Sequence, residues 1–328
     1  MTHVRVIATG GTIAMAQQPE SGGAVIAVSG ADLVQGILGS PGDGLPMVSS
    51  EEYGPLPSAH FTVDHLWGLR ERVADLLGPA GRPDDVDAVV ITHGTDTLEE
   101  TAYLLDLTVP GDRPMVVTGA MRIASQPGYE GMGNVEAAVR VAASEQARGL
   151  GALVVLNDEI HAARYVTKTH TQALDTFQSP GWGPLGHVEN GRVVIGCRVE
   201  RQVLVCPRLE PRVYLLKLAI GMDAELLRQA TQLGARGVVI ETLGGGRVPP
   251  WWLEAIHEAI AAGTSIVVTS RCPSGTLGDP YAYVGAFHDL LRAGCLVAHG
   301  LNGPKARLKL MAALGAAQTA DEVRQAFA

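Results

Sequence analysis

The chain has 328 residues, of which 46% are hydrophobic and 18% are charged, and its formal net charge is −9. This length suits two packed α/β units, and the acidic balance argues against nucleic acid as a partner. No window holds about 18 consecutive apolar residues, and no signal-peptide pattern precedes the apolar run that begins at Val4. We therefore expect no membrane partner and a cytoplasmic location.

Short apolar runs of β type alternate along the chain with helical patterns, which predicts parallel βαβ units and an α/β fold. In chain order, the predicted elements are strand 4–8, helix 63–77, strand 86–91, helix 97–107, strand 114–118, helix 133–147, strand 152–156, strand 213–217, helix 223–233, strand 237–241, helix 251–262, strand 265–269, helices 284–293 and 304–315, and a last helix that opens at Thr319.

The alternation of strand and helix patterns weakens between about 196 and 212, where Arg and Pro flank one short apolar run. We predict an N-terminal domain at 1–205, a linker at 206–212 and a smaller C-terminal domain at 213–328. Residues 16–30 are polar, Gly-rich and without periodicity, so that segment is either a mobile loop over a site or a disordered surface turn.

Three predicted strands end in polar loops that contain glycine, at 9–12, 92–97 and 118–122. Ligands of open parallel sheets bind beyond the carboxyl ends of the strands, so these loops are expected to converge on one crevice. Gly10 and Gly11 allow close backbone approach to a ligand. The turn from Gly94 to Thr97 precedes a helix, where backbone N–H groups can stabilise an oxyanion.

The polar side chains of this region are hydroxyls, one carboxylate and one amine. Lys168 is the only lysine among the first 216 residues, and a lysine can lose its proton at a pH where arginine cannot. A hydroxyl with a neighbouring amine and a carboxylate suits acyl transfer, with Thr12 or Thr95 as nucleophile and Lys168 held by Asp96. The alternative is that threonine and glycine simply build the turns at the strand ends.

Competing catalytic motifs are missing from the sequence: there is no G-x-S-x-G, no P-loop and no G-x-G-x-x-G after a strand. The four cysteines form no C-x-x-C pair, which leaves zinc-ribbon and thioredoxin chemistry without support. His93 is expected to orient the turn at Thr95 rather than to react.

At these positions the sequence resembles the bacterial-type L-asparaginases, a family of threonine amidohydrolases. The matching segments cover nearly the whole chain and are 8–14 (ATGGTIA), 91–102 (ITHGTDTLEETA), 119–122 (GAMR), 166–169 (VTKT), 183–186 (GPLG) and 302–307 (NGPKAR).

The resemblance implies a two-domain α/β fold with a mostly parallel twisted sheet in the larger domain, and hydrolysis of L-asparagine to L-aspartate and ammonia without metal or cofactor. It implies catalytic roles for Thr12, Thr95, Asp96 and Lys168. Substrate-binding positions that it implies are Gly11, Ser58, Thr95, Asp96 and Ala120. It also implies assembly as a homodimer or homotetramer.

The sequence departs from the family pattern at four places. Gly23 stands where the family's flexible loop carries a tyrosine, and Ala59 stands where a glutamine is common. The stretch 244–247, which reads GGGR, lacks the usual asparagine, and the acid expected after Arg271 is missing.

These departures keep other functions open. The same centre could hydrolyse another amide, such as glutamine, D-asparagine or a larger amide, with Arg247 as a hypothetical partner for a substrate carboxylate. A non-catalytic member that binds an amino acid is the alternative from a different class. Tyr281 or Tyr283 of a neighbouring subunit is a hypothetical substitute for the missing tyrosine.

Overall fold

The computed structural model describes residues 2–38, 46–78 and 86–328. The chain divides into two compact units, Met1–Val203 and Leu204–Ala328. The predicted linker at 206–212 contains neither helix nor strand, and the domain bounds predicted from sequence stay a prediction.

The described part of the larger unit contains twelve strands and four α-helices. The strands are β1 (His3–Ala8), β2 (Met15–Gln18), β3 (Gly23–Ile26), β4 (Met47–Glu52), β5 (Ala88–Thr92), β6 (Met115–Thr118), β7 (Ala152–Leu156), β8 (Glu159–Ala162), β9 (Thr167–Lys168), β10 (Phe177–Gln178), β11 (Gly186–Glu189) and β12 (Arg192–Ile195). The helices are α1 (Gly30–Leu38), α2 (Val63–Leu76), α3 (Leu98–Thr108) and α4 (Gly131–Ala142).

Eight of these strands form one sheet in the order β12-β11-β8-β7-β6-β5-β1-β4. Strands β4, β1, β5, β6 and β7 run parallel, and β8, β11 and β12 extend the sheet in antiparallel fashion. The central strands β5, β6 and β7 are buried on both faces, and separate apolar clusters pack on the two sides. This layering explains why those strands read as continuous apolar runs.

The smaller unit contains β13 (Val213–Lys217), β14 (Gly237–Thr242), β15 (Ser265–Ser270) and β16 (Leu296–Val297), which form a parallel sheet in that order. Its helices are α5 (Glu225–Gln232), α6 (Trp252–Ala261), α7 (Phe287–Ala293), α8 (Gly303–Ala316) and α9 (Ala320–Ala326). The predicted α/β fold with a large, mostly parallel sheet and a smaller α/β unit is confirmed.

Several elements differ from the sequence prediction. The predicted helix 133–147 ends at Ala142, and a short 3₁₀ turn follows at Glu145–Ala147. Strand β4 was not predicted because its residues are polar; Ser49 and Glu51 bond with Arg5 on the neighbouring strand. The segment 16–30 was predicted as a mobile loop or disordered surface turn, but it contains all of the β2–β3 hairpin except Met15, and the first residue of α1.

Candidate active site

The three glycine-containing loops follow β1, β5 and β6, which are adjacent parallel strands. Their carboxyl ends therefore lie at the same edge of the sheet, as expected. Backbone hydrogen bonds continue the ladder beyond the strands: the N–H of Thr9 donates to Thr92 O at 3.1 Å, and that of His93 donates to Thr118 O at 2.8 Å. The loops are thus held in register with one another.

Close packing of glycine backbones joins the first two loops. Gly11 has φ of 81°, and a Cβ added there would lie 2.3 Å from the backbone nitrogen of Gly94. A Cβ added at Gly94 would in turn lie 2.6 Å from Ser58 Oγ. Any side chain at these two glycines would separate the loops, so their backbone contact fixes where Thr12 and Ser58 lie relative to the Gly94 turn.

A lysine reaches this edge from a short hairpin in which β9 pairs with β10. The amine of Lys168 donates hydrogen bonds to Thr95 Oγ1 and to Asp96 Oδ1, each at 2.9 Å. The Lys168 side chain is 18% exposed, whereas that of Asp96 is 68% exposed. The predicted hydroxyl, amine and carboxylate are therefore in direct contact, with the carboxylate open to solvent.

Glu99, in the first turn of α3, supports this group of residues. Its Oε2 accepts a hydrogen bond of 2.7 Å from the backbone N–H of Lys168, and the residue is buried. This contact ties the lysine-bearing strand to the helix that follows Thr95 and Asp96. Glu99 lies within the helix predicted at 97–107, but nothing in the local pattern indicated its link to Lys168.

Thr12 lies in a 3₁₀ turn, Thr12–Ala14, directly after Gly11. It is half-buried, and its hydroxyl makes no hydrogen bond to another residue in the described ranges. The contact of Gly11 with Gly94 places this turn against the loop that carries Thr95. The structure thus brings Thr12 to the same edge without bonding it to Lys168.

Ala120, the remaining predicted binding position, is fully buried in the loop after β6. The preceding Gly119 lies against the second loop, because an added Cβ would come within 2.6 Å of His93 O and 3.4 Å of the Thr95 methyl carbon. The loop of Ala120 therefore borders the Thr95 turn, on the neighbouring strand.

His93 is fully buried beneath the turn. Its Nδ1 lies 2.8 Å from Gly94 O and its Nε2 lies 3.0 Å from the hydroxyl of Thr101, while its ring packs on Phe61. Burial lowers the pKa of His93 to about 4, although the bond to Gly94 O acts in the opposite direction. The neutral ring donates through Nδ1 and accepts through Nε2, which fixes the turn that precedes Thr95.

The turn at Gly244–Arg247 and the region of two tyrosines lie in the smaller unit. Arg247 Nε donates to Asp279 Oδ2 at 2.8 Å, and its guanidinium carbon lies 4.7 Å from the ring centroid of Tyr281, which stacks on Tyr283. Arg247, the hypothetical partner for a substrate carboxylate, thus forms an ion pair with Asp279 of its own unit. That pairing spans 32 residues and left no signal in the local sequence.

Among the described residues, no group of three or more His, Cys, Asp and Glu side chains is arranged to hold a metal ion. Over the same residues, no helix is long and apolar enough to cross a membrane.

An α/β unit whose sheet is covered on both faces, with hydroxyl, amine and carboxylate groups near the strand ends, is typical of an acyl-transfer enzyme. Residues 3–200 match the family model "Asparaginase, N-terminal", and residues 212–327 match "Glutaminase/Asparaginase C-terminal domain". The chain belongs to the asparaginase family of amidohydrolases.

Individual relatives agree with this assignment over at least 90% of their own length. An L-asparaginase of Bacillus licheniformis is 38% identical, over 94% of each chain. A glutaminase-asparaginase of Pseudomonas fluorescens is 32% identical and covers 100% of this chain and 90% of its own. The crystal structure of a probable cytoplasmic L-asparaginase from Campylobacter jejuni superposes with a TM-score of 0.85 at 29% identity, over 100% of this chain and 99% of that one.

Proposed function

We propose that this protein hydrolyses L-asparagine to L-aspartate and ammonia, with Thr12 as the primary nucleophile and Thr95, Lys168 and Asp96 as the second catalytic group. The observation that carries the proposal is the pair of 2.9 Å contacts from Lys168 Nζ to Thr95 Oγ1 and Asp96 Oδ1. The L-asparaginase relative supports the choice of substrate.

In this mechanism the hydroxyl oxygen of Thr12 attacks the amide carbon of the substrate and a C–O bond forms. Lys168 in its neutral form takes up a threonine proton through Thr95, and the C–N bond then breaks as the leaving nitrogen gains a proton and departs as ammonia. Water next attacks the ester, which releases the carboxylate and restores the Thr12 hydroxyl. Lys168 is the group that accepts and returns protons.

The surrounding residues bind the substrate and stabilise charge. Asp96 pairs with Lys168 through one oxygen, and its exposed carboxylate also binds the α-ammonium group of the substrate. Backbone N–H groups at Gly11, Thr95 and Ala120 stabilise the oxyanion, and Ser58, next to Gly94, contacts the substrate.

A second candidate is hydrolysis of a different amide on the same centre. It is favoured by the lack of a polar side chain at Ala59 and by the glutaminase-asparaginase among the relatives. Buried hydrogen bonds to a small zwitterion contribute about 1–3 kcal/mol each, so their loss would weaken discrimination in favour of free asparagine.

Ammonia release by the purified protein tests both candidates. The substrates are L-asparagine, L-glutamine, D-asparagine and N-acylated or larger amides, and Thr12→Ala and Thr95→Ala serve as matched variants. We expect L-asparagine to give the highest kcat/KM and each variant to lose at least 100-fold. A higher kcat/KM for another amide would favour the second candidate. Activity that persists in Thr12→Ala would contradict the role of Thr12, and no activity on any amide would favour a binding protein.

We further infer the domain division 1–205, 206–212 and 213–328, and assembly as a homodimer or homotetramer in the cytoplasm. Large apolar side chains exposed on the smaller unit, at Ile220, Trp251 and Val284, support association of subunits. The Campylobacter jejuni structure, described as cytoplasmic, supports the location. Sedimentation velocity that shows only monomer, or cell fractionation that recovers the protein outside the cytoplasm, would contradict these inferences.

A further inference from the structure

The segment that opens α4 contacts the turn that carries Thr12 and the third loop of the candidate active site. Three of its side chains bond to backbone atoms of the turn Thr12–Ala14 and of the third loop; they are Tyr129, Glu130 and Asn134, here called the α4 clamp. None of these three side chains belongs to the catalytic group proposed above. The bonded residues are 9 to 116 positions apart in the sequence, so each contact joins separate parts of the fold.

Tyr129 holds the nucleophile turn. Its hydroxyl donates a hydrogen bond of 2.7 Å to the carbonyl oxygen of Ile13, the residue after Thr12. Burial, with a smaller contribution from the charge of Glu130, raises the pKa of Tyr129 to about 12, so the hydroxyl stays a donor at neutral pH. A Cβ added at Gly131 would lie 2.2 Å from this hydroxyl, so glycine at 131 leaves room for the contact.

The other two members hold the loop that carries Ala120. Glu130 Oε1 accepts a hydrogen bond from the backbone N–H of Met121. Asn134, which is buried, donates from Nδ2 to Gly119 O at 3.0 Å and accepts from the backbone N–H of Asn157 at 3.0 Å. The backbone on both sides of Ala120 is therefore fixed by the segment that also holds Ile13.

We propose that the α4 clamp is a set of positioning residues that sets the distance between the Thr12 hydroxyl and the backbone of Ala120. This inference rests on the proposed role of Thr12. The segment 13–30 contains no tyrosine, and in this protein a tyrosine from the start of α4 reaches the nucleophile turn instead. Tyr129 bonds to the carbonyl after Thr12 and not to the Thr12 hydroxyl, so its effect on the reaction is indirect.

The test is the Tyr129→Phe variant, which removes one oxygen and keeps the ring. Tyr53→Phe is the matched control, because the Tyr53 hydroxyl also donates to a backbone carbonyl, that of His65, at 3.0 Å. Misplacement of a reacting group by about 1 Å costs up to 100-fold in rate, and loss of one anchor displaces the turn by less. We expect kcat on L-asparagine to fall about tenfold in Tyr129→Phe and less than twofold in Tyr53→Phe.

Two further readouts separate positioning from a purely structural role. The inhibition constant of L-aspartate should stay within twofold in Tyr129→Phe, and its thermal midpoint should match that of Tyr53→Phe. A kcat within twofold of wild type, or an equal loss of kcat in the control, overturns the proposal. Thr12→Ala in the same assay separates the role of Thr12 from the role of Tyr129. If Thr12→Ala is inactive while Tyr129→Phe retains full kcat, the role of Thr12 is supported and the proposal for the α4 clamp is overturned.

Variants of Glu130 give a second, independent test. Glu130→Gln keeps an oxygen that accepts from the N–H of Met121, whereas Glu130→Leu does not. We expect kcat within about threefold of wild type for the glutamine variant and a loss of at least tenfold for the leucine variant. Equal activity of the two variants would overturn the part of the proposal that concerns Glu130.

Discussion

Replacement of Lys168 by arginine tests the proposed proton transfer most directly. Arginine keeps N–H donors that can reach Asp96, but its guanidinium stays protonated at any accessible pH and cannot accept a proton from a threonine. The backbone N–H of Lys168, which bonds to Glu99, is unchanged by the substitution. The variant therefore removes the proton acceptor while it retains N–H donors near Asp96 and the backbone anchor.

The expected magnitude follows from the geometry. Lys168 Nζ lies 2.9 Å from Thr95 Oγ1, within the reach that proton transfer requires, and a positioned base contributes about 10²- to 10⁴-fold in rate. The corresponding increase in the activation barrier is about 3–5 kcal/mol. The pair with Asp96 adds little to stability, because exposed ion pairs contribute about 0–1 kcal/mol. Activity should thus fall by at least 100-fold with little change in unfolding free energy.

The assay is steady-state ammonia release from L-asparagine, together with urea unfolding of the same preparation. Lys217→Arg is the matched control, since Lys217 also pairs with an acid, Glu241, at 3.3 Å in the smaller unit. That variant should keep wild-type kcat. If Lys168→Arg retains more than a tenth of the wild-type kcat, Lys168 is not the proton acceptor and the mechanism is wrong.

Two other predictions concern the loops that contain His93 and Gly11. The pKa of His93 is about 4 in the folded protein and about 6.5 when unfolded, so the unfolded state binds more protons between these values and stability falls as pH falls. From pH 7 to pH 5, wild type should lose about 2 kcal/mol more unfolding free energy than His93→Gln in urea titrations; equal losses would show that His93 is not buried and neutral. Gly11→Ala should abolish activity and lower the thermal midpoint, because its Cβ would meet the Gly94 backbone at 2.3 Å, whereas Gly133→Ala, with open space around it, should retain activity. An active Gly11→Ala would refute the close approach of the two loops.

The sequence predicted the central strands well because their signal is local. Strands buried on both faces read as short apolar runs, and β5, β6 and β7 fall where those runs were found. Strand β4 carries serines and glutamates whose partners lie on β1 and α2, so its pattern resembled a loop. The hairpin of β2 and β3 has few buried residues and gives no periodicity that a window of sequence can detect.

The candidate site was predicted for a related reason. Parallel strands that are neighbours in the sheet place their carboxyl ends together, so three polar strand ends sufficed to predict that Thr12, Thr95 and Ala120 lie at one edge. Residue chemistry pointed to Lys168, although its hairpin was not predicted. The role of Arg247 as a partner for a substrate carboxylate stays a prediction; its contact with Asp279, 32 positions away, was not predicted.

The sequence by itself determined the α/β class, the positions of the buried strands along the chain and the identity of the hydroxyl, amine and carboxylate groups. These properties depend on apolar runs, on turn residues and on side-chain chemistry, all of which are local. Only the tertiary structure decided that Glu99 anchors the backbone of Lys168 and that Tyr129 holds the turn of Thr12. Those contacts join residues 69 and 116 positions apart, and only the packing of helices onto the sheet brings such residues within hydrogen-bond distance.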